Sequence, residues 1–390
     1  MVALDKSDAP VHEALLWNDT RSAPEAARMR EELGPQAWVD AVNIVPVASF
    51  TISKLAWLAR HEPEAAARVR RVVLPHDWLN GMLGGEFVTD RSDASGTGYF
   101  SPVTNSYRTD ILERFFDRCP ELPRVILPGE RAGFVRPGWD IDGAVLGAGA
   151  GDNAAAALGL GVRAGEIIVS VGTSGTVFAS APVPARDPTG AVAGFADATG
   201  NYLPLLAMLN SARVMSATAA MLSVDLETLD ALAQDADVAA GGLTLLPYLE
   251  GERTPNLPEA SGALLGLTRA NMTPQNLARA SVLGVLNSLA DAIDLLRGQG
   301  VVTEKVLLIG GGARSQSLRQ AAATIFGLPV DVPAAREYVA LGAARQAAWA
   351  ASGDYPDWTR IIDASYEPVG DWGAEVRGRH IDARRGTYGV

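Results

Sequence analysis

Three stretches of this sequence set glycines beside polar residues in patterns that can hold a phosphate or move a proton. The first is Gly147-Ala148-Gly149-Ala150-Gly151-Asp152-Asn153-Ala154-Ala155. Glycine permits close backbone approach, and Asp152 falls where a helix would begin. An Asp there can be an ordinary N-cap. It can also be a carboxylate held at a domain junction to take a proton from a substrate hydroxyl. Spacing alone leaves both readings open. The second stretch is Ser170-Val171-Gly172-Thr173-Ser174-Gly175. Its two hydroxyls and successive N–H groups suit a nucleotide phosphate, although a plain hairpin turn also uses such residues. The third is Gly310-Gly311-Gly312-Ala313, with a helix opening at Ser315. Bare backbone there fits a nucleotide sugar or base, and a strand–helix turn packed tightly on glycine would look the same. Neither GxGxxG nor GxxxxGK[ST] is present, so Rossmann and P-loop readings lose support.

These residues need elements to position them. Ala144 to Val162 reads as a buried strand, a turn and a helix. Glu166 to Val171 reads as a buried strand with Val177 to Ser180 as its hairpin partner. Lys305 to Ile309 reads as a buried strand running into the third glycine turn, followed by a helix from Ser315 to Phe326. Helices are expected over Pro24 to Leu33, with Ser22 as cap and Glu25 three residues on, and over Ser53 to Arg60, closed by Pro63. Further helices are expected over Thr109 to Cys119, Ala207 to Leu222 and Pro274 to Leu296. Tyr338 to Ala350, small on one face, should pack as a helix on a sheet. Glu13 to Trp17 reads as a short strand, and Val72 to Leu74 is a short apolar run. The pattern is α/β, with two strand-to-glycine turns in one half.

The chain has 390 residues and 48% are hydrophobic, enough for a large core and for two domains. The expected boundary gives domains over 1–162 and 163–390. A net charge of -12 and a pI near 4.9 leave nucleic acid and anionic membranes as poor partners. An anionic substrate must then be held by local donors such as glycine loops. The single cysteine, Cys119, allows no internal disulfide and points to a reduced, cytoplasmic compartment. The opening MVALDKSDAP carries charges where a signal peptide would be apolar. His12, His61, His76 and His380 are scattered without metal-ligand spacing, and no Ser sits in a GxSxG turn.

Read in order with their neighbours, the three stretches resemble the FGGY carbohydrate kinases. Ser49-x-Thr51-x-x-Lys54-Leu55-x-Trp57-Leu58-x-Arg60-His61 looks like the first signature of that family. Gly262-Ala263-Leu264-Leu265-Gly266-Leu267, with Asn276-Leu277-x-x-Ala280-Ser281-Val282, resembles the second, except that Leu283 stands where an acidic residue is expected. Leu15-Leu16-Trp17-Asn18-Asp19-x-Arg21, Gly151-Asp152-Asn153, and the run from Leu246 to Pro255 are similar to the xylulokinase branch in particular. The resemblance is collinear from Val2 to about residue 350. The tail beyond resembles nothing specific.

The resemblance implies two ribonuclease-H-like domains of actin/hexokinase type around a central cleft, sugar side first and nucleotide side second. It implies transfer of the γ-phosphoryl of ATP, with Mg2+, to a ketopentose such as D-xylulose. Asp152 aligns with the catalytic base and Asn153 with a contact to the acceptor sugar. Trp17 and Asp19 fall on the sugar side, where core packing and a structural ion pair would equally explain them. Gly172, Thr173, Ser174 and Gly175 align with the loop over the ATP phosphates. Gly251, Gly311, Gly312, Ala313 and Gln316 align with the nucleotide pocket. No residue is assigned to the metal. The family's Asp-x-Gly-Thr turn and the branch's Met-His-Gly motif are not in this sequence, and Met1 to Asp5 resembles the segment just after the latter. The first domain is therefore expected to lack its first strands, through a start-site error or a truncated gene. Such a chain is expected to have little activity and an exposed sheet edge open to homodimer formation. Two alternatives stand beside the xylulose reading: a kinase for another polyol or sugar acid, and a non-catalytic sugar- or nucleotide-binding remnant.

Overall fold

The structure is a computed structural model describing all residues 1–390. It divides into two compact units. The first holds Met1–Val162, Ser180–Pro204 and Arg336–Thr359; the second holds Arg163–Ala179, Leu205–Ala335 and Arg360–Val390.

Six strands of a seven-stranded sheet build the second unit. Their order is Tyr202–Met208, Gly175–Ala179, Glu166–Val171, Lys305–Ile309, Val330–Pro333 and Ile362–Tyr366, with Ala193–Ala196 ahead of the first. Glu166–Val171, Gly175–Ala179 and Tyr202–Met208 form an antiparallel meander. Lys305–Ile309 then lies parallel to Glu166–Val171, and Val330–Pro333 parallel to it in turn. Three antiparallel strands followed by two parallel ones are the ribonuclease-H-like order. Strands covered on both faces read as continuous apolar runs, and Ile167, Ile168, Val169, Val306, Leu307 and Leu308 are all fully buried. The helix Pro274–Gly298 has Pro at its first turn, and its N-cap Thr273 accepts from the Asn276 N–H. It is buried almost all round from Ala278 to Ile293, as a central helix should be.

The first unit has a core of Ile52, Leu55, Leu58, Leu112 and Phe116, with Trp38 stacked on Phe115. Its strands between Met1 and Val162 pair two by two. The helix Asp152–Leu160 packs on the helix Tyr338–Ser352. A Cβ on Gly342 would sit 1.9 Å from the Ala155 carbonyl oxygen, and one on Gly159 would sit 2.2 Å from that of Tyr338. Small residues on Tyr338–Ser352 therefore serve a helix–helix crossing, where the sequence suggested a helix on a sheet.

Four further expectations are corrected. Glu13 to Trp17 is irregular, not a strand. Ala207 and Met208 end the strand Tyr202–Met208, and the helix expected from Ala207 starts at Ala212; apolar content alone did not separate the two. Pro63 opens the next helix, Pro63–Arg68, at its first position, where proline is favoured. Ser22 makes no cap bond; its hydroxyl donates to the Ala48 carbonyl, tying the helix Ala23–Leu33 to a distant loop.

Candidate active site

Asp152 is the first residue of its helix, and Gly151 is the N-cap. The carboxylate is exposed, and its Oδ1 accepts from the Asn153 backbone N–H at 2.7 Å and from Asn153 Nδ2 at 2.8 Å. This is not the geometry of an N-cap, so the capping explanation for Asp152 falls away. The helix dipole favours a negative group at this end.

The glycine loop ahead of Asp152 is held on three sides. Gln346, buried on Tyr338–Ser352, accepts from the Gly149 N–H at 2.9 Å and donates to the Gly149 carbonyl at 2.8 Å. Ser92 Oγ accepts from the Gly151 N–H at 2.9 Å. Gly149 has φ +87°, and a Cβ there would meet His76 at 2.8 Å; one on Gly151 would meet Asp93 Oδ1 at 2.8 Å. The loop therefore needs its glycines for close approach to two ionisable side chains.

Those two belong to a charged cluster that the sequence reading missed. His76 Nδ1 faces the buried Asp77 at 2.6 Å, while Nε2 faces Asp90 at 3.0 Å and Asp93 at 3.3 Å. The imidazole is half-buried, and although desolvation opposes its charge, its carboxylate partners Asp77 and Asp90 raise its pKa well above the ordinary value. Burial raises Asp93 to about 7; His76 opposes that shift, and Asp90, Asp77 and Asp152 add to it. Asp90 caps the short helix Arg91–Ser95 by accepting from the Ser92 and Asp93 N–H groups. His76, Asp90 and Asp93 lie close enough to hold a metal ion. With both ring nitrogens facing carboxylates, however, the imidazolium is itself the cation, and magnesium prefers an all-oxygen shell. The cluster does not fit magnesium. One signal for it was legible: Asp90-Arg91-Ser92-Asp93 is a capping pattern.

Trp17 and Asp19 lie on an open segment bordering a cavity of about 390 Å³ whose walls include His12, Glu13, Asn18 and Arg21. Trp17 is 74% exposed, so it is not core packing. Asp19 does form the expected ion pair, with Arg21 Nε at 2.8 Å, and those hydrogen bonds hold its carboxyl below the usual range. The buried Lys54 donates to the Asp19 carbonyl at 3.0 Å.

In the second unit the two glycine turns meet at one residue. A Cβ on Gly310 would lie 2.7 Å from the Val171 carbonyl oxygen, and one on Gly312 would lie 2.3 Å from Val171 Cγ1. Val171 is the last residue before Gly172, so the turns adjoin. Thr173, Ser174 and Gly311 are exposed, Gly172 and Gly312 half-buried, and Gly175 and Ala313 buried. Gln316 opens the helix Gln316–Phe326, donating through Nε2 to the Tyr366 hydroxyl at 3.3 Å. Asp230 accepts from the Gln316 and Ser317 N–H groups. Gly251 has φ +86°, donates to the Ala260 carbonyl at 2.8 Å, and would put a Cβ 2.4 Å from the Pro258 carbonyl oxygen.

No helix is long and apolar enough to cross a membrane. The N-terminal domain model of the FGGY family of carbohydrate kinases matches residues 1–159, and its C-terminal domain model matches residues 167–351. A xylulose kinase of Streptomyces coelicolor is 49% identical over 91% of this chain and 73% of its own length. One from Escherichia coli is 37% identical over 90% of the chain and, again, 73% of its own length. The solved xylulose kinase of Bifidobacterium adolescentis is 41% identical, with a TM-score of 0.91 over 98% of this chain and 85% of that one. The exposed carboxylate on a clamped glycine loop and the paired glycine turns lie inside the two matched regions, and this chain belongs to the FGGY family of carbohydrate kinases, with that family's two-domain, actin- and hexokinase-like fold.

Proposed function

We propose that the protein phosphorylates xylulose at a primary hydroxyl, using MgATP and giving xylulose 5-phosphate and ADP. The observation that carries the reading is Asp152: an exposed carboxylate on a loop clamped by Gln346 and Ser92. The similarity to xylulose kinases over nine-tenths of the chain supports the choice of sugar.

Phosphoryl transfer needs alignment, charge neutralisation and a proton acceptor more than covalent help. Asp152 accepts the proton of the attacking hydroxyl. Asn153, its amide tied to Asp152, orients the sugar beside it. Trp17 offers an apolar face and Asp19 an acceptor on the sugar side. Backbone N–H groups of Gly172 to Gly175 and the Thr173 and Ser174 hydroxyls hold the phosphates, while Gly311, Gly312, Ala313, Gln316 and Gly251 line the nucleotide. Magnesium comes as part of the co-substrate and neutralises phosphate charge. We place the reaction in the cytoplasm, where the exposed thiol of Cys119 stays reduced.

Xylulose-dependent ADP release tests the reading. Asp152→Asn keeps size and removes the base, so kcat should fall roughly 10²- to 10⁴-fold, with the dissociation constant for MgATP within about two-fold of the parent. Turnover by Asp152→Asn at the parental rate would remove Asp152 from the role of base.

A further inference from the structure

The family match ends at residue 351, yet the chain continues through the strand Ile362–Tyr366 and a 17-residue helix, Trp372–Tyr388. We infer that this last helix positions the nucleotide loop between Pro247 and Gly262, and that Tyr388 is the residue through which it acts. The inference rests on the assignment of Gly251 to the nucleotide pocket.

Apolar burial is not what holds the helix: only Gly373, Val376 and His380 are buried. Directional contacts hold it instead. Asp291, buried on Pro274–Gly298, receives Arg377 Nη1 at 2.8 Å and a second ion pair from Arg384. Arg377 also donates to the Asn287 carbonyl at 2.9 Å and pairs with Asp294 at 2.8 Å. At the other end Gly373 has no room for a side chain, since a Cβ would lie 2.3 Å from the Thr324 carbonyl oxygen. These contacts fix the height and rotation of the helix, and so the place of its last residue.

Tyr388 then touches the nucleotide loop on both flanks. Its hydroxyl donates to the Ser261 carbonyl. Its ring packs edge-on against Tyr248, with centroids 5.5 Å apart at 62°. Tyr248 is fully buried. Ser261 follows Ala260, whose carbonyl takes the Gly251 N–H at 2.8 Å. Between the flanks the loop is rigid. Glu252 and Leu257 exchange two backbone hydrogen bonds of 2.9 Å. The buried Glu252 carboxylate accepts from the N–H groups of Leu209, Asn210 and Arg253, and Asn210 Nδ2 donates to the Gly251 carbonyl at 2.8 Å. A shift at Ser261 is therefore one residue from the bond that places Gly251, and a rigid loop passes such a shift on.

Calorimetric titration with MgATP and, separately, with xylulose tests this on the full chain and on Tyr388→Phe, Tyr388→Ala and Gly251→Ala, each with a thermal melt. Tyr388→Phe keeps the ring and loses one hydrogen bond. It should weaken MgATP roughly five-fold while leaving xylulose affinity and the melting temperature unchanged. Tyr388→Ala should weaken MgATP further. If Gly251→Ala weakens MgATP and neither Tyr388 variant does, the positioning role is overturned and the nucleotide assignment stands. If Gly251→Ala has no effect, the assignment falls and takes the inference with it. Equal loss of both ligands with a lowered melting temperature in Tyr388→Phe would make the tyrosine merely structural and overturn the inference as well.

Discussion

Two histidines in this chain, one half-buried and one fully buried, meet carboxylates and end in opposite states. His76 has three acidic neighbours, so its charged form is favoured. His380 is fully buried and 3.7 Å from Asp291, but Arg377 and Arg384 have already neutralised that carboxylate. Burial first, then the two arginines, push the His380 pKa down to about 3 from an ordinary 6.5. The sign follows from linkage. The unfolded chain takes up this proton as pH falls below about 6.5, and the folded chain does not until about 3. Stability from His380 is thus complete above that window and lost as pH falls through it, at up to ~1.4 kcal/mol per pH unit. Urea midpoints between pH 7 and pH 4 should fall more steeply for the parent than for His380→Leu. Parallel curves would show that His380 does not stay neutral.

Asp152 and the glycines of all three turns were legible as candidates because their types and spacing suit the chemistry, and Asn153 through the family resemblance. Asp93 and His76 were not. They are far from Asp152 in sequence, and only folding brings them against Gly149 and Gly151. Charge clusters assembled across a fold leave no local pattern.

At the scale of elements, the crossing of Asp152–Leu160 and Tyr338–Ser352 sets the position of the Asp152 carboxylate. Gly342 faces Ala155 backbone there, and backbone cannot move aside as a flexible side chain does. Gly342→Ala should destabilise by about 1–3 kcal/mol through overpacking and lower kcat by displacing the helix. Gly378, on Trp372–Tyr388, has nothing within 4 Å of its Cβ position, so Gly378→Ala should be neutral or stabilise by up to ~1 kcal/mol. Thermal melts of the two variants check both signs; a stable Gly342→Ala would mean the crossing is looser than this geometry. The sequence showed both helices by period and composition. It did not show that they pair, because a small-residue face serves a sheet or a helix equally well. The strand Tyr202–Met208 escaped for a related reason: a continuous apolar run has no period to separate strand from helix.

At the scale of the molecule, the two ligands are assigned to residues of separate units, so their affinities should be separable. Gly311 is exposed with nothing within 4 Å of its Cβ position, whereas bulk on Gly312 would strike Val171. Gly311→Val should therefore weaken MgATP binding at least ten-fold without loss of stability, and leave xylulose binding intact. Trp17→Ala should do the reverse if, as proposed, its exposed ring serves the sugar. Titration of each ligand alone decides; a variant that weakens both equally would undo the division of labour. With a net charge of -12, affinity for ATP has to come from such local donors and not from a general attraction for anions.

The first unit is also assembled from segments far apart in the chain, Met1–Val162, Ser180–Pro204 and Arg336–Thr359. On the ribosome these emerge at different times. The helix bearing Asp152 is synthesised before all of the second unit, and its packing partner Tyr338–Ser352 comes after most of it. Until then Gly159 and Ala155 have nothing to pack against, and Gly149 lacks the Gln346 amide that holds it. A nascent chain stalled before Arg336 would carry Asp152, the proposed base, on an unsecured helix, so the part of the candidate site made early is among the last to be locked in place.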